Sequence, residues 1–159
     1  RKANEFVKVY FQRYPKVKNY YDRLIVDARN ASYVSTILGR RRSTYGLSAS
    51  NFQLRQATER EVMNYPLQGS AADIIKMGVL QTRELVDKYP AKLILQIHDE
   101  LVFEYSTELS KDKLAQDPTF VGFVEEVKRA LLDVIVLKVP LEVGVEVGSN
   151  LGQMEDFVA

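Results

Sequence analysis

Between Phe6 and Ala28 the apolar positions recur at steps of three and four, the period of a helix with one buried side. Phe6, Tyr10 and Tyr14 stand beside Val7 and Phe11, and Pro15, lacking the amide proton a helix interior needs, ends or kinks this first helix. Val17, Tyr20, Tyr21, Leu24, Ile25 and Ala28 mark a second helix directly after it, with Lys16, Lys18, Arg23 and Arg29 on its polar sides. The aromatic stripe is expected to be core. From Ser32 to Tyr45 the pattern changes: Tyr33 to Ile37 is β-prone, Gly39 punctuates it, and Arg40-Arg41-Arg42 precede Thr44-Tyr45. This predicts an irregular hairpin displaying three arginines, which cannot all point one way.

Ser50 or Asn51 caps a helix through Phe52, Leu54 and Ala57 towards Val62. Asn64-Tyr65-Pro66 is expected to interrupt it, and a second helix opens near Leu67 and runs through Ala71, Ile74 and Val79. Gly69 to Ala72 are small, which permits close approach by a neighbour, and packing against protein is the expectation. From Leu93 to Glu104 two apolar runs of strand length flank His98-Asp99-Glu100 and predict a hairpin with that triplet at its bend. Both arms are expected to be buried, holding the acidic tip in place, so Asp99 is a candidate metal ligand. Ser106 to Gln116 reads as a polar connection. Asp117 caps a helix opened by Pro118 and carried by Phe120, Val124, Val127, Leu131 and Val134 to near Lys138. Leu141, Val143, Val145 and Val147 then alternate with Glu142, Gly144, Glu146 and Gly148 as in a strand wet on one face, and residues from Ser149 onward read as a loosely packed tail.

With 159 residues and 46% of them hydrophobic, the chain can bury a core. It holds no cysteine and no apolar run long enough to cross a bilayer. Its charge is segregated. Residues 1–60 carry 13 Lys and Arg against 4 Asp and Glu, a net of +9, whereas residues 61–159 carry 9 against 17, a net of −8. Clustered Lys and Arg attract a polyanion through counterion release, and clustered carboxylates attract cations such as Mg²⁺. The chain starts at Arg1 in a helical pattern, so it is expected to be cut from something longer.

Three blocks, in order, resemble the C-terminal part of the polymerase domain of family A DNA polymerases: Thr36-Ile37-Leu38-Gly39-Arg40-Arg41-Arg42; Glu59-Arg60 through Asn64-Tyr65-Pro66-Leu67-Gln68-Gly69-Ser70-Ala71-Ala72-Asp73-Ile74-Ile75-Lys76; and Gln96-Ile97-His98-Asp99-Glu100-Leu101-Val102. The resemblance covers nearly the whole chain. It implies an α+β fold, an antiparallel palm sheet covered by helices, with residues 1–46 the end of the fingers and residues 47–159 the C-terminal portion of the palm. By the same resemblance Asp99 is one of two aspartates that bind catalytic Mg²⁺, Glu100 is a supporting acid, and His98 approaches the primer terminus. Asn64 and Gln68 contact the minor groove or template near the new base pair, Gln96 assists, Arg40 and Arg41 hold backbone phosphates, and Asp73 and Lys76 are structural. The implied partners are primer-template DNA and deoxynucleoside triphosphates, with no membrane and no obligate protein partner, in the cytoplasm at a bacterial nucleoid or in an organelle.

The implied reaction is attack of a primer 3′-hydroxyl on the α-phosphate of a nucleotide, with two Mg²⁺ ions about 3.5–4 Å apart activating the nucleophile and neutralising the pyrophosphate. The first motif with the facing aspartate, the nucleotide-holding fingers helix and the thumb do not match within these residues, so the fragment alone is expected to be inactive. Leu151 stands where the family pattern has tryptophan, and Ser43 to Asn51 departs from its usual spacing. Two rival readings are a non-catalytic nucleic-acid-binding module and a single-subunit RNA polymerase palm.

Overall fold

The computed structural model describes residues 2–157; Arg1, the first residue of the expected fingers segment, and Val158 and Ala159, the last of the expected tail, lie outside the described residues. The fold is α+β, with strands confined to antiparallel pairs. Two compact units, Arg1–Asp73 and Ile74–Ala159, divide within one long helix.

In the first unit α1 (Lys2–Arg13) and α2 (Pro15–Ala31) follow the predicted spacing, with Pro15 opening α2 at the position where a missing amide proton costs nothing. The stripe on α1 is not core: no residue of α1 is buried, and Phe6 is 75% exposed. Helical spacing selects a face, but α1 packs chiefly on α2, which leaves that face uncovered among the described residues. The core of this unit is Ala28, Val34, Leu47 and Val62, with Leu24, Ile25 and Tyr65 packed against it. β1 (Tyr33–Ser35) and β2 (Arg41–Ser43) pair antiparallel in the register Tyr33↔Ser43, Val34↔Arg42 and Ser35↔Arg41. The connecting loop turns at Gly39, whose φ of 85° lies where side chains are strained. A short 3-10 turn (Tyr45–Ser48) follows, and the buried Thr44 hydroxyl donates to the Ala28 carbonyl at 2.8 Å.

The helix α3 runs unbroken from Phe52 to Lys88 with Pro66 inside it, so the expected interruption at Asn64-Tyr65-Pro66 does not occur. Asn51 caps it, its Oδ1 accepting from the amides of Gln53 at 2.9 Å and Leu54 at 3.2 Å. An interior proline costs about 3 kcal/mol, but packing anchors the helix on both sides of it. Val62 is 1% exposed before Pro66, Asp73 is buried after it, and the Ser70 hydroxyl donates to the Pro66 carbonyl. The small residues beyond Pro66 meet the β1–β2 loop: a Cβ on Gly69 would lie 2.7 Å from Thr36 Cγ2, and the Ile37 amide donates to Ser70 Oγ at 2.9 Å. The close neighbour is protein, as expected.

In the second unit β3 (Ala91–Ile97) and β4 (Glu100–Tyr105) form the expected hairpin. Its core-side residues stack on α5 (Pro118–Leu132): Phe103 on Phe123 with ring centroids 5.6 Å apart, and Tyr105 on Phe120 at 5.0 Å. Ala91, Leu114, Phe120, Phe123 and Val124 are buried there. The arms are not buried throughout, because Ile94, Leu95 and Ile97 stay 42–47% exposed. The hairpin pairs with no third strand among the described residues, and the core beside it takes in Ala91 and Phe103 but not Ile94, Leu95 or Ile97. Leu114 reaches the core from a one-turn helix, α4 (Lys111–Leu114), inside the stretch read as a polar connection.

Asp117 caps α5 as expected, accepting from Phe120 at 3.2 Å, but α5 stops at Leu132 and not near Lys138. Beyond it the alternation is real in burial as far as Val145, with Leu141, Val143 and Val145 half-buried between exposed neighbours, and Val147 and Gly148 both half-buried. Ladder pairing, however, is limited to β5 (Glu146–Val147), because a strand needs a partner and among the described residues one is supplied only there. That partner is β6 (Glu155–Asp156), and Phe157 stacks on Phe120 at 5.4 Å, so this part of the tail is packed. Lys88 and Tyr89 both donate to Glu126 Oε1, and these bonds, the lysine's foremost, hold the Glu126 carboxyl below its ordinary value.

Candidate functional site

In the first unit the candidate residues gather on α3. Asn64 and Gln68 are one turn apart, exposed, and line an open concavity of about 460 Å³ with Ala57, Arg60, Glu61, Tyr65 and Arg42. Positions 57, 61, 64, 65 and 68 recur at helical spacing, so one continuous face carries both amides and the flanking charges. Arg60 and Glu61 were missed as site residues because an interruption at Asn64-Tyr65-Pro66 would have broken that face, and Arg42 because it reaches the face from β2, by a contact with Glu61 that helical spacing does not reveal. Read through the proline, the spacing would have found Arg60 and Glu61.

The three arginines do not share one direction: Arg41 and Arg42, adjacent on β2, point to opposite faces, whereas Arg40, in the loop before the strand, lies with Arg42 beside Tyr65. Arg42 shares a face with buried Val34, donates from Nη2 to Glu61 Oε2 at 2.9 Å, and lies over the Tyr65 ring at 5.8 Å. Arg41 points the other way, its guanidinium 4.3 Å from the centroid of Tyr33, and it makes no ion pair among the described residues. Arg40 turns into α3: Nε donates to Asp73 Oδ1 at 2.8 Å, Nη1 to the Tyr65 hydroxyl at 3.0 Å and Nη2 to the Gly69 carbonyl at 3.1 Å.

The second unit carries the acidic turn. Ile97 pairs with Glu100, so the bend is the two residues His98 and Asp99, and Glu100 is already the first residue of β4. His98 has φ 52°, the left-handed region that a tight two-residue turn demands and that histidine tolerates better than most residues. Gln96 Nε2 donates to the His98 carbonyl at 3.4 Å, tying the turn to its own strand. His98, Asp99 and Glu100 are all exposed. Among the described residues no three His, Cys, Asp or Glu side chains converge into a cation site, so Asp99 and Glu100 do not make a complete one by themselves. Nor is any helix among them long and apolar enough to cross a membrane.

Chemically, the first unit offers an amide-bearing helix face edged by arginines, suited to base edges and phosphates, and the second offers a projecting carboxylate. Comparison with known proteins gives this arrangement its lineage. DNA polymerase I of Caldicellulosiruptor bescii is 40% identical over 94% of this chain, and that of Bacillus caldotenax is 38% identical over 94%. The chain spans only 17% and 16% of those two proteins, respectively. Among solved structures, the polymerase domain of Pol1 from M. smegmatis, in complex with DNA primer-template and dNTP, superposes with a TM-score of 0.76 at 35% identity, over 89% of this chain and 24% of that one. The family model for DNA polymerase family A matches residues 1–153, and the chain belongs to that family.

Proposed function

We propose that this chain is part of a template-directed DNA polymerase, contributing one carboxylate of the catalytic centre and one face of the DNA-binding surface. The observation that carries this reading is the exposed turn at Asp99, held on a short hairpin by Gln96, in a chain of family A. The substrates are primer-template DNA and deoxynucleoside triphosphates, and the setting is the cytoplasm at the nucleoid. Asp99 supplies an oxygen ligand to a pair of Mg²⁺ ions whose remaining ligands come from elsewhere in the full polymerase, with Glu100 as its acidic neighbour and His98 facing the primer end. Two such ions lower the barrier by stabilising the attacking and leaving oxygens of the displacement. Asn64 and Gln68, with Gln96, meet the nascent base pair, and Arg41 meets a backbone phosphate. The 159 residues alone do not extend a primer.

The test is Asp99→Asn in the polymerase containing this chain, assayed for Mg²⁺-dependent primer extension and for DNA binding. Extension should fall by about a thousandfold, the equivalent of several kcal/mol of metal-ion stabilisation, with DNA affinity nearly unchanged. Extension at the normal rate would remove Asp99 from the metal site.

A further inference from the structure

The family resemblance groups Arg40 with Arg41 as phosphate contacts, but the two side chains are placed very differently. Every nitrogen of the Arg40 guanidinium donates to a protein acceptor: Nε to Asp73, Nη1 to the Tyr65 hydroxyl, Nη2 to the Gly69 carbonyl. The Arg40 side chain is 45% exposed, whereas its partner Asp73 is only 10% exposed. The Arg40 amide donates to Thr36 Oγ1 at 3.1 Å, and Thr36 is buried against Gly69, where a Cβ would lie 2.7 Å from Thr36 Cγ2. The guanidinium also lies 5.4 Å from the centre of the Tyr65 ring. Its acceptors at residues 65, 69 and 73 recur every four residues along α3, so one fork spans two turns of the helix beside Asn64 and Gln68.

We propose that Arg40 is a positioning residue: it fixes the β1–β2 loop to α3 and so sets the placement of Asn64 and Gln68, while Arg41 carries the phosphate contact. This rests on the polymerase reading above. A planar fork holding three acceptors at once cannot be replaced by lysine, whose single ammonium reaches Asp73 but not all three. Displacing groups that orient a substrate by a fraction of an ångström to 1 Å slows the reaction without removing charge from the DNA.

The experiment uses the full polymerase containing this chain, with Arg40→Ala, Arg40→Lys, Asp73→Asn and Arg41→Ala. Arg40→Ala should lower kcat by about ten- to a hundredfold while leaving the affinity for primer-template within about twofold and its salt dependence unchanged. Asp73→Asn should reproduce part of that loss, and the Arg40→Ala, Asp73→Asn double variant should lose no more than Arg40→Ala alone, because both break one assembly. Arg40→Lys should fall between wild type and Arg40→Ala, and it is the variant to measure if Arg40→Ala fails to fold. Arg41→Ala should instead reduce the slope of log affinity against log salt by about 0.9, the value for one duplex phosphate contact. A reduced salt slope in Arg40→Ala, or a wild-type kcat in Arg40→Lys with Asp73→Asn also behaving as wild type, would overturn the assignment. A wild-type polymerase that extends no primer would overturn the function itself, whereas normal extension with this reversed pattern would overturn only the role of Arg40.

Discussion

Gly69→Ala sets two effects of opposite sign against each other. In a helix interior alanine is favoured over glycine by about 1 kcal/mol, so on propensity alone the substitution stabilises α3. The new methyl, however, would sit 2.7 Å from Thr36 Cγ2 and 3.4 Å from Arg40 Nη2. Thr36 cannot simply rotate away: it is β-branched, 4% exposed, and its Oγ1 accepts from the Arg40 amide. Relieving the overlap therefore moves the loop or gives up that bond, at the about 1–3 kcal/mol typical of overpacking. The net expectation is a loss of about 1 kcal/mol, or roughly 0.5 M in the urea midpoint for a slope near 2 kcal/mol per molar. Thr36→Ser removes the offending methyl and keeps the hydroxyl. On that background Gly69→Ala should be neutral or stabilising, a coupling of at least about 1 kcal/mol in the double-mutant cycle. Urea unfolding followed by far-ultraviolet circular dichroism measures all four proteins. If Gly69→Ala alone raises the midpoint by the full propensity gain, the helix and loop are not packed as described.

Glu61→Gln leaves Arg42 without its carboxylate partner; because the pair is about half-exposed on both sides, stability should change by less than about 1 kcal/mol. On the polymerase reading, DNA should bind more tightly with a steeper salt dependence, and an unchanged slope in a filter-binding titration would place Arg42 outside the interface. Glu126, held below its ordinary value of 4.5 by Lys88 and Tyr89, lends stability that is present above that value and lost as the pH falls through the lowered one. Glu126→Gln should therefore lose less of its urea midpoint than wild type between about pH 7 and about pH 3, and parallel curves for the two would contradict the linkage.

Local signals were legible where one residue's chemistry decides the outcome. Pro15 and Pro118 opened helices, Asn51 and Asp117 capped them, and the polar triplet at 98–100 marked a hairpin to within one residue. What escaped was set by partners distant in sequence. Pro66 read as a break because its cost is local, while the compensation comes from Val62, Ser70 and Asp73 packing around it. The apolar runs of β3 read as buried although, among the described residues, the core beside them takes in Ala91 and leaves Ile94, Leu95 and Ile97 exposed, and the tail read as loose although Glu155 and Asp156 find a strand to pair with. The same distinction governed the candidate site. The polar bend between two apolar runs singled out Asp99, and the family resemblance Asn64 and Gln68, but the commitments of Arg40 to residues 65, 69 and 73 are contacts that no local pattern encodes.

The pairing of β3 with β4 is regular except between Leu93, opposite Phe103, and Leu95, opposite Val102. Ile94 is the extra residue there, 47% exposed and opposite nothing. Removing it would leave every cross-strand partner where it is and change only the bend with which the strand carries His98 and Asp99 forward. A gap in an alignment of this hairpin therefore belongs at Ile94. A shorter hairpin of this type keeps its pairs but aims its carboxylate along a different line.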